Sequence, residues 1–432
     1  MTEETTEETT EETTDETTEE TTGESTEKPG VTLADIQAAW PAVKAVVHHT
    51  PLAISAGVSR RVGGADLALK CENLQRTGSF KIRGAYHRLS LLSNGECARG
   101  VAAVSAGNHA QGVALAARLL GISATIFMAE NASIAKIKAT EGYGARVVLG
   151  GKTFDQAAVA CAAFVAKTDA VFISPYDDDG IITGQGTLGL ELLQDLPDVE
   201  TVIIPIGGGG LFAGVATALK ESKPSVRVVG VQAEGADAAV QSFRTRHLMP
   251  RLTPLRTICD GMAIKSPSPR TFAFIQKYAD DVVAVPDGAV STALLLLLER
   301  AKMVVEPSGA AGLAALLAGR TDARGKTAVI LCGGNIDALA LADLTQREML
   351  RADRYLRLLT ACDDRPGGLA GLLDIVAGER GNIITVHHNR LSSHISLGVT
   401  GVELLVEVRD RAHQDRIIAA LRERDYPAER LD

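Results

Sequence analysis

The chain has 432 residues, 46% of them hydrophobic and 22% charged, a composition typical of a soluble globular protein with room for two or three domains. Its formal net charge of −9 comes from residues 1–30, which hold twelve acidic side chains and one lysine, whereas the remainder carries +2. A nearly neutral body without an apolar run of about 18 residues gives no reason to expect a nucleic acid or a membrane as a partner.

Cysteine usage indicates a reducing compartment. The six cysteines are scattered without a C-x-x-C pair, so neither a disulfide framework nor a zinc site is expected. The acidic N-terminus also lacks the apolar core of a secretory signal peptide. A cytoplasmic location is therefore the expectation.

Within residues 1–30, the stretch 2–22 repeats Glu-Glu-Thr-Thr with a four-residue period. Like charges four residues apart repel each other on a helix, threonine is a poor helix former, and no apolar side chains are available for burial. We predict that this segment is disordered, and that it solubilises the chain or reflects a repetitive coding sequence rather than binding a partner.

Helices and strands alternate along the body of the chain. An amphipathic helix is predicted over 33–48, and from residue 66 to about 340 helices of about a dozen residues separate most of the short apolar strands. The predicted strands are Gly100–Val104, Ala124–Met128, Ala145–Leu149, Val171–Ser174, Thr201–Ile206, Val226–Gln232, Asp281–Val285 and Thr327–Leu331. This rhythm predicts an α/β fold with largely parallel sheets.

The first informative motif is Ser-Phe-Lys-Ile-Arg-Gly at 79–84. A lysine amine becomes a useful nucleophile only when desolvation or a nearby cation lowers its pKa, and Arg83 is the candidate cation for Lys81. Such a lysine can form a Schiff base with an aldehyde cofactor. The alternative is a solvated lysine at the start of a helix. Only the motifs that follow make this alternative the less favoured one.

A small polar turn, Ser-Ala-Gly-Asn-His at 105–109, follows a predicted strand. The turn opens a helix that we expect to run through Leu120 and to stop at Gly121. Backbone amides at a helix start suit an anion. The alternative for Asn108 is an ordinary helix cap.

Four glycines at 207–210 lie between a predicted strand and a predicted helix, where successive amides can point at one phosphate. A rival interpretation exists, because Gly208-x-Gly210-x-x-Ala213 fits a relaxed dinucleotide fingerprint and Glu234 lies where a ribose-binding acid belongs. An NAD-dependent dehydrogenase would leave the other three motifs unexplained.

The fourth motif, Cys-Gly-Gly-Asn at 332–335, ends the last predicted strand of the body. The turn at 105–109 and the glycine loop at 207–210 also follow strands. Since ligands of open α/β sheets bind at the carboxyl ends of strands, these three motifs are expected to converge.

The pattern changes after residue 350. Strands are predicted at 355–362, 382–388 and 402–408, with helices at 368–378 and 414–424. This is a β-α-β-β-α order with room for a last short strand, as in ferredoxin-like domains.

Together, the four motifs resemble those of the fold-type II pyridoxal-phosphate enzymes, and among them the threonine ammonia-lyases with one C-terminal regulatory ACT domain. The resemblance extends over about residues 35–430. It implies a catalytic body over 31–345, with two largely parallel sheets, a small subdomain at about 85–175 and pyridoxal 5'-phosphate between the sheets. It also implies an ACT domain over 352–432.

The resemblance implies a role for each motif. Lys81 would hold the cofactor and act as the base at the substrate Cα, Phe80 would lie near the cofactor, and Asn108 would bind its ring oxygen. The residues implied at the cofactor phosphate are Gly207, Gly208, Gly209, Gly210 and Leu211. Cys332 would be the neutral partner of the pyridine nitrogen, which leaves the ring a weak electron sink and favours β-elimination over transamination.

The turn at 105–109 would bind the substrate carboxylate. Its residues are Ser105, Ala106, Gly107, Asn108 and His109. His109 is interpreted as structural, without an acid/base role. Ala106 departs from the serine that racemases of this fold use as a second proton donor, so racemisation is disfavoured.

The implied reaction converts L-threonine to 2-oxobutanoate and ammonia, and L-serine to pyruvate, in isoleucine biosynthesis or threonine degradation. The alternatives are an L-serine or hydroxyaspartate ammonia-lyase and a non-catalytic amino-acid sensor. Related enzymes hold a divalent cation near a stretch resembling 234–238, but Val240 replaces the later acidic ligand, and no metal is predicted.

The ACT resemblance implies an amino-acid effector, isoleucine or valine, at a domain interface of a homodimer or homotetramer. The residues implied at that site are Gly367, Gly368, Leu369, Asn382 and Ile383. The alternative is an oligomerisation module without a ligand.

Overall fold

The computed structural model describes residues 30–251, 254–390 and 398–431. The acidic segment predicted over 1–30 lies outside these ranges, apart from Gly30. The described residues form three sheets, two of them parallel or nearly so and one antiparallel. None of the helices in these ranges is long and apolar enough to cross a bilayer.

Fourteen strands are present in the described ranges. In chain order they are β1 (Leu52–Ile54), β2 (Leu67–Lys70), β3 (Val101–Val104), β4 (Ala124–Met128), β5 (Arg146–Leu149), β6 (Val171–Phe172), β7 (Thr201–Pro205), β8 (Arg227–Ala233), β9 (Asp281–Val285), β10 (Thr327–Ile330), β11 (Tyr355–Asp363), β12 (Asn382–Asn389), β13 (Val399–Glu407) and β14 (Ala428–Leu431).

Sixteen α-helices accompany them in the same ranges. In chain order they are α1 (Leu33–Lys44), α2 (Ala56–Arg61), α3 (Lys81–Ser90), α4 (Asn94–Arg99), α5 (Asn108–Leu120), α6 (Ile134–Gly142), α7 (Phe154–Thr168), α8 (Asp179–Asp195), α9 (Gly210–Ser222), α10 (Ala238–Thr245), α11 (Pro269–Tyr278), α12 (Asp287–Leu296), α13 (Pro307–Leu317), α14 (Ala338–Arg351), α15 (Gly368–Gly378) and α16 (Arg411–Arg422).

The larger sheet has the strand order β1-β2-β10-β7-β8-β9. All its neighbours pair in parallel except β1 and β2. Strands β7 and β10 are buried along their whole length, as expected for apolar strands covered by helices on both faces. Because β2 precedes and β10 follows the smaller sheet in the chain, this part of the fold is built from two separated segments.

The smaller sheet has the order β5-β4-β3-β6 and is entirely parallel. Its strands lie within residues 101–172, inside the subdomain predicted at about 85–175, whose limits remain a prediction. The α/β class with largely parallel sheets is confirmed.

The predicted elements of this body differ from the observed ones at their ends. Every predicted strand is present, with ends shifted by at most two residues. Strands β1 and β2 have no counterpart among the predicted strands. The helix predicted over 33–48 ends at Lys44, four residues earlier than predicted.

The C-terminal part forms an antiparallel sheet of order β12-β13-β11-β14. Its element order, β-α-β-β-α-β, confirms the ferredoxin-like prediction. Alternate residues of β11, including Leu356, Leu358 and Cys362, are buried in a core that also contains residues of α15 and α16.

A buried ion network joins α3 to the larger sheet and to α8. The guanidinium of Arg83 lies 2.8 Å from the Glu72 carboxylate and 2.9 Å from that of Glu191, and all three side chains are fully buried. Lys70, also buried, lies 2.7 Å from both Glu191 and Asp195. Burial alone would raise the pKa of Glu191, but the charges of Arg83 and Lys70 hold it below its usual range.

Replacing Glu191 by Ala should destabilise the protein strongly. Arg83 and Lys70 would each lose a buried partner, and breaking a buried pair costs about 3–5 kcal/mol. Urea unfolding measures the loss. The matched control is Glu234→Ala, which removes an exposed carboxylate 2.7 Å from Arg320 and should cost less than about 1 kcal/mol. Similar losses in both variants would contradict this account.

Candidate active site

A cavity of about 740 Å³ is lined by residues from the strand ends of both parallel sheets. The candidate residues that line it are Phe80, Lys81, Ser105, Ala106, Gly107, Asn108, His109, Gly207, Gly208, Gly209, Gly210, Leu211 and Cys332. The structure thus brings all four motifs to one place. A volume of this size suits a small-molecule ligand or cofactor.

Lys81 is the first residue of α3, and its side chain reaches the cavity wall. Its Nζ donates a hydrogen bond to the Pro175 carbonyl oxygen at 2.8 Å and lies 5.1 Å from the centre of the Phe80 ring. Burial lowers the pKa of Lys81 to about 8, although the acidic groups of Cys332 and Glu306 act in the opposite direction. About a tenth of this amine is therefore neutral at pH 7, far more than for a lysine with an ordinary pKa.

Arg83 is not the cation that lowers this pKa. Its guanidinium is paired with Glu72 and Glu191, so its charge is already compensated. Of the two mechanisms considered for Lys81, desolvation is the one that the structure supports, and the expectation for Arg83 is corrected.

The start of α3 is held against the motif at 332–335. The Phe80 N–H donates to the Cys332 carbonyl at 3.2 Å, and the Gly334 N–H donates to the Gly78 carbonyl at 2.8 Å. Ser79 and Gly333 pair between them as an isolated antiparallel bridge. Lys81 and Cys332 are consequently fixed relative to each other by backbone hydrogen bonds.

Asn108 is the first residue of α5, and the cap position before it belongs to Gly107. The ordinary-cap interpretation of Asn108 is therefore wrong. Its side-chain Nδ2 donates to both carboxylate oxygens of Glu306, at 2.8 and 3.0 Å, and its Oδ1 accepts from Asn335 at 2.8 Å. The helix ends at Leu120, with Gly121 left-handed at φ +70°, as predicted.

His109 is buried in the wall of the cavity. Its Nε2 lies 2.9 Å from the Ile173 carbonyl oxygen. Burial, helped by the charge of Lys81, lowers the pKa of His109 to about 3. A neutral imidazole bound to a backbone carbonyl agrees with the structural role expected of it.

The glycine loop cannot accept larger residues. Gly209 has φ +97° and caps α9, and a Cβ on Gly208 would lie 2.2 Å from the Tyr176 ring. The carbonyl of Gly208 accepts a hydrogen bond from the Thr271 hydroxyl at 2.8 Å. Because the first N–H groups of a helix have no partner within it, this loop at the start of α9 is suited to an anion such as a phosphate.

Cys332 is only 5% exposed. Burial, reinforced by the carboxylate of Glu306, raises the pKa of its thiol well above the usual value. The thiol therefore stays protonated and neutral, as the resemblance implies for a partner of a pyridine nitrogen.

Glu306 is a cavity residue that the sequence analysis did not identify. It precedes Pro307 as the cap of α13, and burial raises its pKa to about 7 against the effect of the Asn108 hydrogen bond. The available signal was a single acid directly before a proline within an apolar stretch. Lys136 and Asp260, 3.7 Å apart, also line the cavity without having been predicted.

Glu234 and Val240 are the two residues considered above for a divalent cation. Glu234 pairs with Arg320, and Val240 is a buried apolar residue. Among the described residues, His49, Glu191 and Asp195 form a cluster with metal-ligand spacing. The Lys70 ammonium already lies 2.7 Å from both of its carboxylates.

Comparison with known proteins supports the assignment of the motifs. The chain is 45% identical to an L-threonine ammonia-lyase of Thermotoga maritima over 397 residues, which are 92% of this chain and 98% of the relative. A match of that length must include most of the C-terminal domain, since that domain holds far more residues than the match leaves out.

Two solved structures resemble about three quarters of the chain. The processed threonine deaminase isoform 2 of Solanum lycopersicum has a TM-score of 0.70 and 37% identity, and the match covers 74% of this chain and 87% of that one. Maize serine racemase has a TM-score of 0.69 and 34% identity, with 74% and 98% covered.

The dehydrogenase interpretation of the glycine loop is corrected by these findings. The family model described as "Pyridoxal-phosphate dependent enzyme" matches residues 43–333, which include all of the first three motifs and the start of the fourth. The chain therefore belongs to the family of pyridoxal-phosphate dependent enzymes.

Proposed function

We propose that the chain is a cytoplasmic ammonia-lyase that converts L-threonine to 2-oxobutanoate and ammonia. The water lost from Cβ is regained when the enamine product hydrolyses, so the net reaction releases only ammonia. The observation that carries the proposal is the cavity itself, where Lys81 with a lowered pKa lies near a protonated Cys332. The six free thiols fit a reducing cytoplasm.

The cavity fits pyridoxal 5'-phosphate, the cofactor of the family. The glycine loop leaves space only for backbone and offers the start of α9 to a phosphate, while Lys81 supplies an amine for the aldehyde. Asn108 and Cys332 supply polar groups for the ring oxygen and the ring nitrogen. When bound, the cofactor holds the amino-acid nitrogen covalently and accepts electrons from Cα.

The other steps belong to side chains and backbone of this chain. The start of α5, at residues 105–109, receives the substrate carboxylate. The neutral amine of Lys81 then takes the proton from Cα, a role for which its lowered pKa is suited. Ala106 has no proton to return to Cα from the other face, so the cavity favours loss of the β-hydroxyl over racemisation.

Serine should also react, because it differs from threonine by one methyl group. A methyl discriminates by roughly 1–3 kcal/mol, which lowers but does not abolish the rate. An L-serine or hydroxyaspartate preference remains the second candidate, and the likeness to maize serine racemase is the observation that favours serine.

Replacing Lys81 by Ala should abolish turnover, because no amine would remain to take the Cα proton. The measurement is release of 2-oxo acid from threonine and from serine by cofactor-loaded protein. Lys152→Ala, a lysine that does not line the cavity, is the matched control and should keep the activity. Substantial activity in the Lys81 variant would rule out this mechanism, and faster release from serine would replace threonine as the preferred substrate.

The turnover number should rise with pH through about 8. Lys81 is protonated below its pKa of about 8 and cannot then accept a proton, so the rate should fall about tenfold per pH unit below it. Steady-state rates at saturating threonine measure this, with cofactor absorbance recorded at each pH to show that occupancy is constant. A rate independent of pH between 6 and 9 would contradict the assigned role.

We further propose that residues 352–432 form an ACT-type regulatory domain that binds isoleucine or valine between two chains. Gly367, Gly368 and Leu369 lie at the start of α15, whereas Asn382 and Ile383 follow its end. A helix of 11 residues is about 16 Å long, so one small ligand could contact both groups only across two copies. This supports a homodimer or larger oligomer.

Isoleucine should slow 2-oxobutanoate release by the full chain. Asn382→Ala should raise the isoleucine concentration needed for half-inhibition at least about tenfold, the effect of losing about 1.4 kcal/mol of ligand binding. The exposed Asn94 in the catalytic body provides the control substitution, Asn94→Ala. If neither isoleucine nor valine changes the rate, the domain is an oligomerisation module without these ligands.

A further inference from the structure

A continuous chain of side-chain hydrogen bonds crosses the floor of the cavity. The Asn335 Nδ2 donates to the Thr77 carbonyl oxygen at 2.6 Å and to the Asn108 Oδ1 at 2.8 Å. The Asn108 Nδ2 in turn donates to the Glu306 carboxylate at 2.8 and 3.0 Å. Four separate segments of the chain, from both parallel sheets, are therefore linked through the two amide side chains of Asn108 and Asn335.

The direction of these bonds is set by the Thr77 carbonyl at one end and, when Glu306 is ionised, by its carboxylate at the other. A backbone carbonyl can only accept, so the Thr77 oxygen determines which end of Asn335 carries the nitrogen. That nitrogen turns the Asn108 oxygen toward Asn335, and the Asn108 nitrogen is left facing Glu306. A carboxylate accepts from that nitrogen, whereas a flipped Asn108 would place its oxygen against the carboxylate.

Close packing holds the acceptors and donors in place. A Cβ on Gly78, whose φ is +69°, would lie 2.4 Å from the Asn335 Oδ1. A Cβ on Gly333 would lie 2.5 Å from a Glu306 oxygen and 3.0 Å from the Asn108 Nδ2. The Glu306 N–H also donates to the Gly333 carbonyl at 3.0 Å. The polar side chains thus occupy space that only glycine at 78 and 333 leaves open.

One of the two Nδ2 hydrogens of Asn108 is not needed for its bonds to Glu306. One N–H of its Nδ2 is enough for the two oxygens of Glu306, and the second is available to a ligand in the cavity, which Asn108, Glu306 and Asn335 all line. If the amide were reversed, the cofactor ring oxygen would face another acceptor, and a buried acceptor without a donor costs binding free energy.

We propose that Asn335 and Glu306 are positioning residues, which orient the Asn108 amide so that it presents a hydrogen-bond donor to the ring oxygen of the cofactor. The proposal rests on the cofactor of the family and on the role of Asn108 within it. It does not depend on the substrate, so a spectroscopic test remains informative if threonine proves to be the wrong amino acid.

The decisive variant is Asn335→Asp, which keeps the shape of the side chain and replaces its donor by an acceptor. The introduced carboxylate would repel the Thr77 carbonyl and favour the reversed Asn108 amide. We expect the cofactor dissociation constant of the apoprotein to rise about tenfold to a hundredfold, the range for loss of one buried hydrogen bond, together with a shift of the cofactor absorbance maximum. Titration of apoprotein with pyridoxal 5'-phosphate measures both.

Two further variants separate orientation from general damage. Glu306→Gln can still offer an oxygen to the Asn108 nitrogen, so its absorbance maximum should stay in place and its dissociation constant should rise less than about threefold. Asn94→Asp, the same substitution at an exposed site, should change neither quantity. Thermal unfolding of each apoprotein shows whether it is folded, and Asn335→Ala replaces Asn335→Asp if the latter is not, with a smaller shift expected.

An unchanged absorbance maximum and dissociation constant in a folded Asn335 variant would overturn the proposal. It would also be overturned if Glu306→Gln were impaired as much as Asn335→Asp, because the charge of Glu306 rather than its acceptor would then matter. Failure of the threonine assay with intact cofactor spectra would instead count against the proposed function alone.

Discussion

The burial of Arg83 between two carboxylates is the interaction on which the catalytic cavity depends. Arg83 lies in the first turn of α3, two residues after Lys81, and pairs with Glu72 beyond β2 and with Glu191 in α8. A fully buried guanidinium without these partners would be strongly unfavourable, so the pairing fixes the start of α3 relative to both elements. The lysine at that start consequently reaches the cavity wall, where desolvation rather than a neighbouring cation lowers its pKa.

Glycine allows the remaining polar groups to approach this lysine. At Gly208 the loop backbone packs against the Tyr176 ring, and at Gly333 it packs against the carboxylate of Glu306, at distances that exclude a Cβ. Both glycines follow the carboxyl ends of strands in the larger sheet, where backbone amides and carbonyls become available to ligands. The site is thus built largely from backbone and from short polar side chains held by backbone hydrogen bonds.

Much of this arrangement could be predicted from the sequence, because it depends on local pattern. Apolar strands, the glycine loop and the order of the C-terminal elements each leave a periodic or compositional signal, and the motifs converge because they follow parallel strands. No such signal exists for the partners of Arg83. None exists either for the contact between Glu306 and Asn108, which are 198 residues apart. In a sequence, an acidic residue that will be buried cannot be distinguished from one that will be exposed. The acidic partners of Arg83 were therefore not predicted, so its role was wrong, and Glu306 was given no role.

The charge states in the cavity restrict what its chemistry can be. Burial keeps His109 and Cys332 neutral, raises the pKa of Glu306 to about 7 and lowers the pKa of Lys81 to about 8, so Lys81 has a pKa that suits the base of the proposed reaction. In that reaction, Lys81 would remove the proton from one face of Cα. Ala106 has no proton to donate, so it could not reprotonate Cα from the opposite face. In the reaction proposed above, Cα can therefore be reprotonated only from the face of Lys81, and loss of a group from Cβ would be favoured over inversion. In the proposed reaction, the neutral Cys332 thiol and the missing hydroxyl at Ala106 would act in the same direction, toward elimination and away from inversion.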